Sequence, residues 1–136
     1  MDYRMEELDN EAINELEEML DTYDKQHITY QLNGQVSIGI KKDGKLIAGL
    51  DGCMTAFKIF YVSTVFVEEA YRGLGYGTAL MKEVEKRAVK LGANMIRLDT
   101  FDWQGKGFYE RVGYEQVGFY ENKEDGFSEY FFLKRL

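Results

Sequence analysis

One segment constrains this chain more than any other. It is a glycine-rich turn, Arg72-Gly73-Leu74-Gly75-Tyr76-Gly77, set between an apolar strand and an amphipathic helix. Before it runs Phe60–Val67, whose Val62, Val65, Phe66 and Val67 predict a strand buried on both faces. After it, Leu80, Met81, Val84, Ala88 and Leu91 recur at helical spacing and predict a helix over about Gly75–Leu91. Gly92 stands where a left-handed C-terminal cap belongs. Met95–Phe101 reads as the next strand, so Phe60–Phe101 is expected to form a parallel, right-handed strand–helix–strand unit. The first N–H groups of a helix lack partners and carry about half a positive charge. Glycines let an anion come close to them, and Arg72 adds a fixed cation. The turn is therefore a candidate pyrophosphate cradle.

The rest of the chain arranges itself around that unit. About Asp9–Tyr23 is expected to be a helix, with Ala12, Ile13, Leu16, Met19, Leu20 and Tyr23 on one side and glutamates on the other. Strands at about Val36–Lys42 and Lys45–Phe57 flank Asp43-Gly44, a hairpin dipeptide that tolerates positive φ. Gly49 and Gly52 mark bulge or close-approach points on the return strand. A short helix at about Gly105–Val112 ends at Gly113, and strands Tyr114–Glu121 and Phe127–Leu136 flank a polar turn at Asn122–Gly126. This order predicts one domain over 1–136, α/β in class, with a mixed sheet.

Composition removes whole classes of function. One cysteine, Cys53, leaves no disulfide framework and no multi-thiolate zinc site, so no metal is expected; it also fits a reducing compartment. A free cysteine in such a chain reads as a small buried hydrophobe rather than a nucleophile. The acidic start from Met1 is no secretory signal, and no run approaches the roughly 20 apolar residues of a membrane span. A cytoplasmic protein without membrane or nucleic-acid partners is expected. The net charge of −7 opposes phosphate-backbone binding and suits a cationic small molecule, although acidity also serves solubility alone. The only histidine, His27, reads as structural, which leaves little room for a serine or cysteine triad.

Spacing narrows the cofactor. A P-loop needs Lys and then Ser or Thr after its last glycine, but Gly77 is followed by Thr78 and Ala79. The dinucleotide fingerprint fails too: counted from Gly73 its sixth position is Thr78, and from Gly75 it is Leu80. What fits is Arg-x-x-Gly-x-Gly after a strand ending Val-x-Val, here Val65-Phe66-Val67-Glu68-Glu69-Ala70-Tyr71-Arg72-Gly73-Leu74-Gly75-Tyr76-Gly77-Thr78. This resembles the acetyl-CoA signature of the GNAT N-acetyltransferase superfamily. Leu98-Asp99-Thr100-Phe101, Gln104 and Phe108-Tyr109-Glu110-Arg111-Val112-Gly113-Tyr114 are similar to the family's second motif, a Phe-Tyr pair before a Gly-aromatic turn.

The resemblance implies a twisted α+β sheet, mostly antiparallel, with a central parallel pair of strands that splay apart. It implies acetyl-CoA as cosubstrate, with pantetheine along Val65, Phe66 and Val67 and pyrophosphate on the N–H groups from Arg72 and Gly73 through Leu74, Gly75, Tyr76 and Gly77 to Thr78. It assigns the oxyanion donor to the Val67 N–H and the proton donor for the leaving thiolate to Tyr109. The base that takes the amine proton is less well defined: Asp99 is the first choice, with Glu68 and Glu69 beside the other strand. The reaction expected is direct acetylation of a primary amine on a small, cationic acceptor. A peptide or protein N-terminal acetyltransferase and a non-catalytic acyl-CoA-binding module are the alternatives. Three positions depart from the pattern: Asp102 replaces a frequent Asn, Gly105 a frequent Ala and Lys106 an occasional Pro. The aromatic tail, with Phe119, Tyr120, Phe127, Tyr130, Phe131 and Phe132, is left to core packing, an acceptor pocket or a homodimer interface.

Overall fold

The structure is a computed structural model that describes residues 2–28 and 31–136. Met1 of the acidic start lies outside the described residues. The chain divides into two compact units, Met1–Gln31 and Leu32–Leu136.

The first unit carries helix α1 (Asn10–Asp24). Asp9 caps it, its carboxylate accepting the Ala12 N–H at 2.8 Å, which satisfies one of the orphan donors of the first turn. His27 is exposed and lies 5.2 Å from the Tyr23 ring. Among the described residues no helix is long and apolar enough to cross a membrane.

The second unit is built on one sheet of strands β1 (Gln35–Lys42), β2 (Lys45–Met54), β3 (Ile59–Val67), β4 (Met95–Phe101), β5 (Glu115–Asn122) and β6 (Phe127–Arg135). Their spatial order is β1-β2-β3-β4-β6-β5. Every pair is antiparallel except β3–β4. Helix α2 (Tyr76–Lys90) makes the crossover from β3 to β4, and α3 (Lys106–Arg111) links β4 to β5. The mixed α+β sheet with a central parallel pair is thus present as expected.

The turns follow local chemistry. Asp43 and Gly44 take φ 51° and 76°, the two left-handed positions that join β1 to β2. Gly92 (φ 101°) ends α2 with the Ala93 N–H on the Ala88 carbonyl and its own N–H on Val89. Gly113 (φ 94°) repeats this after α3, with Tyr114 N–H on the Tyr109 carbonyl and Gly113 N–H on Glu110. Both are Schellman caps, and only glycine adopts such angles without strain.

The core lies between the sheet and α2. Leu80, Met81, Val84 and Ala88 of the helix meet Val36, Ala48, Leu50, Phe60, Val62, Ile96, Leu98 and Phe132 of the strands. Side chains of this size contribute about 1.5–3 kcal/mol each when fully buried. Tyr109 and Tyr114 extend the cluster, ring centroids 6.0 Å apart, and so tie α3 to the same core.

Three expectations need correction. The return strand stops at Met54 rather than Phe57, because Thr55 N–H bonds to Ile59, Ile59 N–H to Ala56, and Phe57 turns at φ 57°. Cys53 is exposed, not buried: it faces outward across from Gln35 near the end of β2. And β3 is not buried on both faces: Phe60 and Val62 are buried, Ile59 and Tyr61 half-buried, and Ser63, Thr64 and Phe66 exposed.

The reason for the last point is a single extra residue. Pairing of β2 with β3 runs Asp51↔Thr64 and then Gly52↔Val62, so Ser63 has no partner and bulges. Its hydroxyl donates to the Asp51 carbonyl at 3.2 Å. Gly52 is the close-approach point: a Cβ there would meet Phe60 Cε1 at 2.5 Å and the Tyr61 carbonyl at 2.6 Å. The bulge falls where β3 leaves β4, whose pairing ends at Tyr61↔Arg97. Bulges bend a strand and raise its twist, so this one turns β3 away from its parallel neighbour.

Candidate active site

The parting of β3 and β4 opens a cleft of about 1180 Å³. One wall is Val62–Val67, the other the end of β4 with α3, and the glycine turn closes one end. Backbone direction on the β3 wall follows from one bond. The Glu68 N–H donates to the Ile47 carbonyl of β2 at 2.9 Å. Backbone groups alternate sides along a strand, so those of Phe66 also face β2, while those of Val67 and Val65 face the cleft. Arg72 confirms this, since its Nε donates to the Val67 carbonyl at 2.8 Å. Apart from that carbonyl, the cleft is edged by strand groups without a ladder partner among the described residues, and an extended ligand can pair with them. Phe66 offers its ring instead: the side chain is 58% exposed, with the Arg72 guanidinium 5.4 Å from its centroid.

The turn meets the requirements for an anion. Gly73 and Gly75 take φ 75° and 91°, and nothing lies within 4 Å of a Cβ built on either. Gly75 is the N-cap of α2, and Ala79 is the first residue to bond back to it. Among the described residues no backbone carbonyl accepts from Gly73 through Thr78. The first turn of α2 holds no acidic residue, so its positive end is uncompensated, whereas Arg87 and Lys90 suit its C-terminus. The Arg72 N–H is already used, donating to Glu69 at 3.2 Å. Leu74 is 64% exposed and does not line the cleft. Gly77 lies against α3: a Cβ there would meet the Phe108 ring at 3.2 Å.

A second cation, which sequence reading passed over, stands near this end. Lys42 Nζ lies 5.4 Å from the Tyr76 ring and 5.5 Å from Tyr71. The Tyr76 hydroxyl in particular raises its pKa. No local signal marks Lys42, because the first hairpin brings it there from more than thirty residues away.

Tyr109 and Asp99 both line the cleft. Tyr109 is 8% exposed, and burial, helped by the Asp99 charge, pushes its phenol up to about 12. Asp99 is exposed on β4 and accepts the Tyr61 hydroxyl at 3.0 Å on Oδ2. The Arg97 guanidinium covers the Tyr61 ring at 4.3 Å. Glu68 and Glu69 are not among the lining residues.

The loop from β4 to α3 is held from within. Gln104 Oε1 accepts the Phe101 N–H at 2.7 Å, and Thr100 Oγ1 accepts the Gly105 N–H at 3.1 Å. Thr100, Phe101, Trp103, Gln104 and Phe108 thereby join the lining; all but Trp103 belong to the second motif read from sequence, which assigned none of them a role. The departures from the pattern acquire physical content here. A Cβ on Gly105 would meet Tyr109 Cε2 at 3.1 Å, so glycine gives that ring room. Asp102 turns away, its Oδ2 accepting the Ser128 N–H at 3.2 Å. Lys106 pairs with Glu110 at 2.8 Å.

Comparison with known proteins bears on this geometry. The model of the acetyltransferase (GNAT) family matches residues 3–114. The chain is similar to the blasticidin-S acetyltransferase of Streptomyces morookaense, 31% identical over 94 residues and 68% of each chain. Two further curated relatives are matched over 25% and 61% of their own length. Among solved structures, an acetyltransferase from Bacillus cereus superposes with TM-score 0.90 at 30% identity over 98% of each chain. An aminoglycoside 6'-N-acetyltransferase complexed with coenzyme A superposes at 0.64 over 82% of this chain and 77% of its own; at 17% identity it shows the fold alone.

Proposed function

The chain belongs to the acetyltransferase (GNAT) family, and from that premise we propose that it acetylates the primary amine of a small, cationic acceptor in the cleft between β3 and β4. It is an enzyme, an acetyl-CoA-dependent N-acetyltransferase. The observation that carries the site assignment is the open edge of β3 leading to the unpartnered N–H groups of the glycine turn. An unpaired edge and a helix N-terminus fit a molecule with an amide-bearing arm and a pyrophosphate.

Each residue then has a task. Val65 and the N–H of Val67 pair with the arm and the thioester carbonyl, the latter as an oxyanion-type donor. Gly73, Gly75, Tyr76, Gly77 and Thr78 hold the pyrophosphate with Arg72, which also fixes the Val67 carbonyl. The thioester supplies an activated acyl group. The amine nitrogen forms the new C–N bond as the C–S bond breaks. Asp99 takes the amine proton, directly or through water, Tyr109 gives a proton to the departing sulfur, and the phenol regains a proton through solvent as Asp99 releases its own. A buried phenol raised to about 12 stays protonated at every working pH, as a donor must. Cys53, exposed outside the lining residues, has no part in this scheme.

The relative named for blasticidin-S supports a small antibiotic-like amine as acceptor, and the net charge of −7 supports a cationic one. The lone cysteine supports a cytoplasmic location. Thiol release from acetyl-CoA across amines of graded size and charge tests the reading. Turnover with small cationic amines is the expected outcome; ligand stabilisation without release for any amine points to a binding module instead.

A further inference from the structure

Where the cleft meets the outer face of the sheet, three rings form a wall. Phe101 and Trp103 are stacked, centroids 4.7 Å apart and planes within 5°. Phe127 stands edge-on to both, at 5.6 and 6.2 Å. One face of Trp103 is covered by Phe101, yet the residue is 67% exposed, so the other face is open. Phe101 and Trp103 belong to the cleft lining.

Two carboxylates share the face of the sheet that bears Phe101. Phe101 pairs across the ladder with Glu129, and Asp99 lies two residues earlier on β4, so all three share one face of the sheet. Each carboxylate is held by a phenol: Tyr61 donates to Asp99 at 3.0 Å and Tyr120 to Glu129 at 2.5 Å. Tyr120 also meets Phe127 edge-on at 6.5 Å. Arg97, on the same face, is stacked on Tyr61.

We infer that this wall is a subsite for a second cationic group of the acceptor, a methylated ammonium or a guanidinium, held on the open face of Trp103 at the edge of the sheet face that carries Asp99 and Glu129. The inference rests on the acetyl-transfer reading for the amine itself and adds what else that molecule carries. An open indole face attracts a poorly hydrated cation through its quadrupole, and the two carboxylates on the same sheet face make the surrounding field negative. A neutral apolar group gains only the contact area.

Trp103 is the only tryptophan, so its emission reports the subsite without any turnover. The wild-type protein is titrated with aminobutyl-trimethylammonium and with its uncharged tert-butyl isostere. The expected result is a saturable emission change at about 3- to 30-fold lower concentration for the cation. Glu129→Gln should reduce that preference, and Trp103→Phe should keep a lower cation/isostere ratio in kcat/KM, with the difference in KM. Equal responses to both amines, or none, overturn the subsite. So does an emission shift that tracks protein concentration without ligand, which assigns the wall to a contact between copies. The two readings fail separately. Preference in emission without thiol release from any amine defeats acetyl transfer, and thiol release without preference defeats the subsite.

Discussion

Strand β3 contains two regions of similar composition and opposite fate. From Ile59 to Tyr61 it is zipped to β4, and Phe60 is wholly buried against Ile96 and the core. From Val62 to Val67 no strand among the described residues pairs with it on that side, although three valines and a phenylalanine keep it largely apolar. Hydrophobicity does not separate the two regions. One bulged residue, Ser63, does, by turning the strand at the last shared rung. Burial in one half and an unpaired edge in the other are two outcomes of one ladder. The zipped half is scaffold, and the open half keeps backbone donors and acceptors free for a ligand.

Four experiments break or sharpen this contrast. The largest effect belongs to the open side. Tyr109→Phe should lower kcat by about 100-fold or more, as loss of a general acid does, with acetyl-CoA affinity kept; stopped thiol release with a parallel binding titration checks both. Gly75→Val comes next. At φ 91° a branched residue is strained, and its side chain stands where an anion must approach. The thermal shift given by acetyl-CoA, about 2.7 kcal/mol at a hundredfold excess over Kd, should vanish.

The scaffold side is probed by Gly52→Ala. The added methyl meets the rigid Phe60 ring and a backbone carbonyl, so a loss of about 1–3 kcal/mol in urea unfolding is expected. An unchanged midpoint would mean that the approach of β2 to β3 is slack and that the bulge is not pinned there. The smallest effect appears only in alkali. The Tyr109 phenol is raised in the folded state to about 12, from an ordinary value near 10. The folded protein therefore binds that proton more tightly than the unfolded chain. Its contribution is fully present below about pH 10 and is lost as pH rises through 12. Tyr109→Phe should make the fall of stability across that window shallower, read by denaturant melts at stepped pH.

Much of this architecture was legible before any coordinates. Asp43-Gly44, Gly92 and Gly113 are turn chemistry, fixed by which residues tolerate positive φ. The stripe of α2 is periodicity, and the glycine turn announced an anion cradle by its own composition. What could not be read was anything set by pairing between distant segments. Cys53 has the composition of a core residue, but ladder register turns it outward. Arg72 was expected to serve an anion alone, yet its Nε is spent on the Val67 carbonyl. Lys42 arrives beside Tyr76 only because the first hairpin folds back.

The sequence by itself determined the elements, their caps and the identity of the chemistry-bearing groups, because those depend on neighbours a few residues away. The tertiary structure decided where β3 parts from β4, which way Asp99 and Tyr61 face, and that Phe127 meets Trp103 across a gap of 24 positions. Those outcomes turn on register. A one-residue shift exchanges the two faces of a strand, and it is the sum of many ladder contacts, not any local preference, that selects it.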